Sequence, residues 1–213
     1  MKTAERMRKS RARRADNISL VTDEKVRAIA KALDLMKDKH KYVIVHDVVE
    51  DWVVRSVIKL KGKKEPITFS DPLAETHLRS MQEVESPVRY VPQLFSALKL
   101  AFPLCKTRKL KLLTSEAGDV AQITHTDYVS TVSEVSIDDM REFHYSAVIA
   151  IEDNTRLLVG KRRKIIDIPL HAMIFFRGDM LHAGAGYSIA NSRLFLSISS
   201  PPFPATMDVF LHN

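Results

Sequence analysis

Between Leu110 and Ser199 the chain is a succession of short apolar runs broken by turn residues, and this rhythm constrains the fold more than any other feature. The runs are Leu110–Thr114, Val120–His125, Tyr145–Ile151, Leu157–Val159, Ile165–Ile168, Ala172–Phe176 and Leu194–Ser199. Glu116-Ala117-Gly118-Asp119, Glu152-Asp153-Asn154 and Arg177-Gly178-Asp179 lie between them as turn signals. Each run has the length and composition of a strand. Seven such strands in about ninety residues predict a barrel or jelly roll rather than βαβ units.

Before Pro103 the pattern is different. Residues 1–17 are polar and basic without apolar periodicity, and read as a disordered tail. From Thr22 to Lys39, Val26, Ile29, Ala30, Leu33 and Met36 recur at helical spacing. Tyr42–His46 reads as a strand, and Val48–Leu60 fits helix or strand equally. Lys61–Pro87 looks loop-rich, with a short helix expected around Leu73–Met81. Pro92 opens a helix to about Phe102, with Leu94, Phe95, Leu98 and Ala101 on one face. The expected fold class is mainly β with N-terminal helices (α+β). It comprises a tail at 1–17, a helical and mixed support region at 18–109 and a β core at 110–213.

The net charge of +7 suggests a nucleic-acid binder until it is located. Lys2, Arg6, Arg8, Lys9, Arg11, Arg13 and Arg14 face only Glu5 and Asp16 in the first sixteen residues, which leaves +2 on the rest of the chain. The body is therefore nearly neutral. Residues 1–14 read as a solvated tail, a nuclear or organelle address, or an arm making weak nucleic-acid contact. The single cysteine, Cys105, excludes an intramolecular disulfide, so an intracellular, cytoplasmic or nuclear setting is expected. No apolar run is long enough to cross a bilayer as a helix, and no membrane association is expected.

Four polar residues stand out in the β-rich half: His125, Asp127, His182 and Arg193. In a strand, residues two apart share a face, so His125 and Asp127 would enter the barrel together. Two imidazoles and one carboxylate on one face of an octahedron bind Fe(II) and leave three positions open, which suits a bidentate cosubstrate and O₂. Arg193 follows His182 after Gly184, Gly186 and Asn191, a spacing that suits a strand, a turn and a neighbouring strand. Its guanidinium is well matched to a carboxylate in a partly dry pocket, so it would anchor the far end of a dicarboxylate. With 8 His and 15 Asp in 213 residues, chance supplies roughly 0.6 of a His-x-Asp pair. The weight therefore lies in the joint order, spacing and β context.

On these residues the chain resembles the Fe(II)- and 2-oxoglutarate-dependent oxygenases, in their phytanoyl- and prolyl-hydroxylase-like branches. Leu113–Tyr128 resembles their first iron-binding strand, Ile168–Gly184 their distal-histidine region, and Asn191-Ser192-Arg193-Leu194-Phe195 the segment carrying the cosubstrate arginine. The resemblance spans roughly residues 110–200 and implies a double-stranded β-helix. It implies Fe(II) on His125, Asp127 and His182, with Arg193 on the distal carboxylate of 2-oxoglutarate. The implied reaction couples oxidation of a prime substrate to release of succinate and CO₂. Relatives that halogenate carry a small residue at the Asp127 position, so hydroxylation is favoured. Many relatives place Ser, Thr or His two residues after the arginine, where this chain has Phe195. Tyr128, Gln122 and Tyr187 are the candidates for the second 2-oxoglutarate anchor.

The remaining residues admit plainer readings. His144 and His171 suit a surface or turn role, and His40, His46, His77 and His212 a structural or exposed one. Asp179 reads equally as a turn residue or as the orienting partner of His182. Gly184 and Gly186 suit a tight turn or close backbone approach. Trp52 reads as core, and Cys105 has no basic pattern arguing for catalysis. Two competing readings are a non-enzymatic metal- or nucleic-acid-binding barrel using the basic arm, and a cupin enzyme without 2-oxoglutarate. The full triad with Arg193 argues against both. The prime substrate is open among a peptidyl residue, a nucleobase and a small metabolite, and nothing in the sequence fixes the oligomeric state.

Overall fold

The apolar runs after Pro103 pair into two antiparallel sheets that face each other. The computed structural model describes residues 23–38, 42–60, 65–66, 78–103, 106–127, 144–199 and 210–211. The strands are β1 (Tyr42–Val45), β2 (Glu65–Pro66), β3 (Arg79–Glu83), β4 (Lys106–Ser115), β5 (His125–Thr126) and β6 (Tyr145–Ala150). They continue with β7 (Arg156–Val159), β8 (Lys164–Asp167), β9 (Met173–Arg177), β10 (His182–Gly184), β11 (Asn191–Ser199) and β12 (Phe210–Leu211). The larger sheet runs β1-β9-β6-β11-β4-β3-β2 and the smaller β12-β5-β10-β7-β8. Strands β4, β6, β9 and β11 thus oppose β5, β7, β8 and β10, which is a double-stranded β-helix. The basic tail, Cys105, Tyr128, His40, His77 and His212 lie outside the described residues.

The larger sheet is buried on both faces, and the two-residue period of its strands divides their side chains between two cores. On β11, Leu194, Leu196 and Ile198 join Leu110, Leu112, Ala147, Ile149, Met173 and Phe175 against the helices. Helices α1 (Asp23–Asp34), α2 (Asp51–Ile58) and α3 (Pro92–Ala101) cover that face. Val148, Ala150, Ile174 and Phe176 point the other way, onto Leu157, Val159 and Ile166 of the smaller sheet. Slipping a central strand by one residue would exchange these sets, so the double burial fixes the register. Burial of each large side chain contributes roughly 1.5–3 kcal/mol. Phe102, Tyr145 and Phe175 form an aromatic cluster under α3, with ring centroids 4.9–5.7 Å apart.

Most expected elements are present: α1 within Thr22–Lys39, β1 within Tyr42–His46, and α3 opening on Pro92. The ambiguous Val48–Leu60 segment becomes α2, with Val53 and Val57, one turn apart, buried beneath it. Two expectations fail. Where a helix is expected around Leu73–Met81, the described part is strand β3, paired to β4 from Arg79↔Ser115 to Glu83↔Lys111. Cross-strand pairing, invisible to local periodicity, overrides the helical spacing. Val120–His125 is not a strand except at its last residue. There the backbone bonds one residue at a time. Gln122 N–H donates to Gly184 O at 3.0 Å, while side chains of Arg79 and Arg163 donate to the Val120 and Gln122 carbonyls.

Candidate active site

His125 and His182 are cross-strand partners on β5 and β10 of the smaller sheet, so both imidazoles leave the same face. Asp127 sits just beyond the end of β5 rather than within it. The shared-face expectation for His125 and Asp127 holds, although the strand carrying it is only two residues long. Asp127 Oδ1 lies 3.5 Å from His182 Nε2 and 3.9 Å from His125 Nε2. One donor atom from each of the three residues falls within 4.8 Å of the others, and all three residues are buried.

Backbone carbonyls orient the rings. Each Nδ1 lies 2.9 Å from the carbonyl two residues earlier, Ile123 for His125 and Met180 for His182. A carbonyl only accepts, so each Nδ1 carries a proton and Nε2 is the ring nitrogen that faces the centre. Burial, followed by the neighbouring His182, lowers the His125 pKa to about 4, so its imidazole is neutral at physiological pH. Its contact with Asp127 is thus convergence of two donor groups rather than a salt bridge. The other carboxylate oxygen, Asp127 Oδ2, accepts the Ser146 hydroxyl from β6 of the larger sheet. That bond ties the site across the two sheets.

Arg193 enters from the larger sheet. β10 and β11 are not neighbouring strands, as the spacing suggested, but belong to opposed sheets, so the chain crosses between layers at Gly184–Ala190. The guanidinium is buried (4% exposed). Its Nη1 donates to Ser115 Oγ at 3.2 Å and to Asn191 O at 3.5 Å, and it lies 5.2 Å from the Tyr187 ring centre. Among the described residues it has no carboxylate partner. Burial lowers its pKa. His125, Asp127, His182 and Arg193 line one cavity of about 110 Å³, together with Gln122, Val148, Leu157, Phe176 and Phe195.

Other expectations divide. Tyr187 lends Arg193 its ring, but its hydroxyl is taken by the Arg156 backbone, at 3.1 Å from N and 3.2 Å from O. Gln122 lines the cavity while its carbonyl oxygen accepts Gly184 N–H at 2.9 Å. Tyr128 lies outside the described residues. Asp179 does not orient His182. It forms a bidentate pair with Arg177 at 2.6 and 2.9 Å, and Met180 O supplies the imidazole's partner. Trp52 is not core: it is 39% exposed and donates to Glu50. His171 is the turn residue expected, at φ +67°. A Cβ on Gly186 would lie 2.8 Å from Asp119 O, so close backbone approach explains that glycine.

Arg79 went unnoticed in the sequence. It is fully buried on β3, where Nε pairs with Asp119 at 2.5 Å and Nη2 donates to Val120 O and Ala185 O at 2.8 and 2.6 Å. It clamps the segment leading to His125 against the loop leading from β10 to β11. Burial, then repulsion from Arg193, lowers its pKa to about 10. Ser146 was missed too. Its one signal was a small polar side chain within the otherwise hydrophobic strand Tyr145–Ala150.

No protein-family model and no curated relative matches the sequence. Solved structures do match. A prolyl-4-hydroxylase of Pseudomonas putida aligns over 81% of this chain and 98% of its own, at 13% identity and a TM-score of 0.56. A prolyl hydroxylase from Trichoplax adhaerens, solved with a hypoxia inducible factor peptide, aligns over 83% and 91% at 8% identity and a TM-score of 0.60. HygX from Streptomyces hygroscopicus, solved with nickel and 2-oxoglutarate, aligns over 84% and 95% at 8% identity and a TM-score of 0.58. The fold is that of the 2-oxoglutarate-dependent oxygenases. Within that oxygenase fold the His-Asp-His set and Arg193 converge on one cavity. Two imidazoles and a carboxylate fit a divalent first-row metal, and a buried guanidinium without a counter-ion among the described residues fits a carboxylate.

Proposed function

We propose that this protein is an Fe(II)- and 2-oxoglutarate-dependent oxygenase that hydroxylates a prime substrate and releases succinate and CO₂. One observation carries the reading: a buried His-Asp-His set and a buried guanidinium without a carboxylate partner among the described residues line the same small cavity. His125 Nε2, His182 Nε2 and Asp127 Oδ1 would hold the metal. When bound, Fe(II) supplies the centre at which 2-oxoglutarate and O₂ react and the prime substrate is oxidised.

The chain's own residues do the rest. The Ile123 and Met180 carbonyls fix both imidazole tautomers, and Ser146 holds the second oxygen of Asp127. Arg193 binds and orients the distal carboxylate of 2-oxoglutarate, stiffened from below by the Tyr187 ring. Val148, Leu157, Phe176 and Phe195 keep the cavity dry.

The test is anaerobic addition of Fe(II) and 2-oxoglutarate to the purified protein, followed by O₂ and measurement of succinate. Wild-type protein is expected to release succinate even without prime substrate, and Asp127→Ala to release none above background. Equal succinate from both, or none from either, removes the proposal.

A further inference from the structure

One cation in the cavity has no role so far. Lys111 on β4, between Leu110 and Leu112, lines the same cavity as the His-Asp-His set and Arg193. Its register explains this. On β4 Leu110 and Leu112 face the helices, so Lys111 and Leu113 face the smaller sheet. Lys111 is opposite Phe195 and Leu113 opposite Arg193, which makes Lys111 and Arg193 diagonal neighbours on one face. Such positions are roughly 7–8 Å apart, within reach of two long side chains.

The side chain leans toward Arg193's level of the sheet. Lys111 Nζ lies 3.5 Å from Met81 Sδ, and Met81 pairs with Leu113, the residue opposite Arg193. The two cationic groups therefore flank Leu113. A thioether is a weak acceptor, and it is the only polar contact of this ammonium among the described residues. Charge balance points the same way. Asp119 is committed to Arg79, so Arg193 and Lys111 leave two positive charges at this end of the cavity. Of the other candidates, the Tyr187 hydroxyl already donates to the Arg156 carbonyl, and the Gln122 side-chain oxygen accepts Gly184 N–H.

We infer that Lys111 is a second anchor for the distal carboxylate of the dicarboxylate cosubstrate, sharing it with Arg193. The inference rests on the 2-oxoglutarate reading above. It places the cosubstrate's second hold on β4, the neighbour of the strand that bears Arg193, and accommodates Phe195, which offers no hydrogen bond.

The test is anaerobic titration of the Fe(II)-loaded full chain with two ligands, followed through the metal-to-ligand absorption band and checked by calorimetry on Mn(II)-loaded protein. One ligand is 2-oxoglutarate. The other is 2-oxopentanoate, which has the same chelating end and a methyl group in place of the distal carboxylate. Lys111→Met is expected to weaken 2-oxoglutarate about tenfold, roughly 1.4 kcal/mol, and to leave 2-oxopentanoate within about twofold of wild type. Lys111→Arg is expected to retain most of the 2-oxoglutarate affinity. Unchanged 2-oxoglutarate binding in Lys111→Met overturns the inference while leaving the cosubstrate reading intact. An equal loss for both ligands overturns it as well, because it marks general damage to the cavity. If metal-loaded wild-type protein binds neither ligand, the cosubstrate reading itself fails and takes the anchor with it.

Discussion

Arg79 and Arg193 are both buried, both lie on the larger sheet and both have depressed pKa values, yet their removal should have opposite consequences. Arg79 is paired with Asp119, and its guanidinium also satisfies the Val120 and Ala185 carbonyls. Arg79→Met leaves a buried carboxylate and two carbonyls without partners, and breaking a buried pair in this way costs about 3–5 kcal/mol. Arg193 has a hydroxyl, one distant carbonyl and an aromatic face, but no counter-ion among the described residues. Burying such a charge costs several kcal/mol, and its hydrogen bonds return roughly 1.5–3 kcal/mol each at good geometry. Arg193→Met should therefore leave the ligand-free protein as stable as the parent, or raise it by up to about 2 kcal/mol. For a chain of this size 1 kcal/mol moves Tm by about 2–4 °C, so Arg79→Met should lose on the order of 10 °C while Arg193→Met loses none. Urea titration and thermal melts of the metal-free protein make the comparison. With metal present, 2-oxoglutarate should raise the Tm of wild type and not that of Arg193→Met. Equal destabilisation by both substitutions would refute the reasoning, because it would mean that Arg193 already has a compensating partner.

Further expectations follow from single contacts. Ser146→Ala removes the hydroxyl on Asp127 Oδ2 and should weaken Fe(II) binding about 10–100-fold in a chelator competition, with little change in fold stability. Asp179→Ala should leave metal affinity unchanged in the same assay, since Asp179 pairs with Arg177; a loss comparable to that of Ser146→Ala would restore it as a partner of His182. Gly184→Ala puts a methyl group 2.2 Å from Arg79 Nη1 and 2.5 Å from Gln122 Oε1, and should cost roughly 1–3 kcal/mol by chemical denaturation.

The sequence made the site more legible than its surroundings. His125, Asp127, His182 and Arg193 stood out because polar residues interrupt apolar strand runs, and the fold brings all four to one cavity. The two-sheet architecture was legible from the same runs. What escaped depends on pairing rather than on local pattern. The larger sheet is covered on both faces, so a polar residue alternating with leucines marks a cavity rather than solvent, and Lys111 drew no notice in the sequence for that reason. Arg79 was hidden in a segment whose spacing suggested a helix, because its role exists only once β3 pairs with β4 and Asp119 folds over it. Asp179 read equally as a turn residue or as the orienting partner of His182, and its proximity in sequence was the ground for the second reading. Backbone carbonyls perform that task for both imidazoles, and no sequence pattern reports them.

The most direct test of the account is a diffraction structure of the full chain with Mn(II) and 2-oxoglutarate, prepared without O₂. The account predicts the metal on Nε2 of His125, Nε2 of His182 and Oδ1 of Asp127, with the distal carboxylate of 2-oxoglutarate on Arg193. A metal bound elsewhere, ligation through either Nδ1, or a distal carboxylate directed away from Arg193 would contradict it.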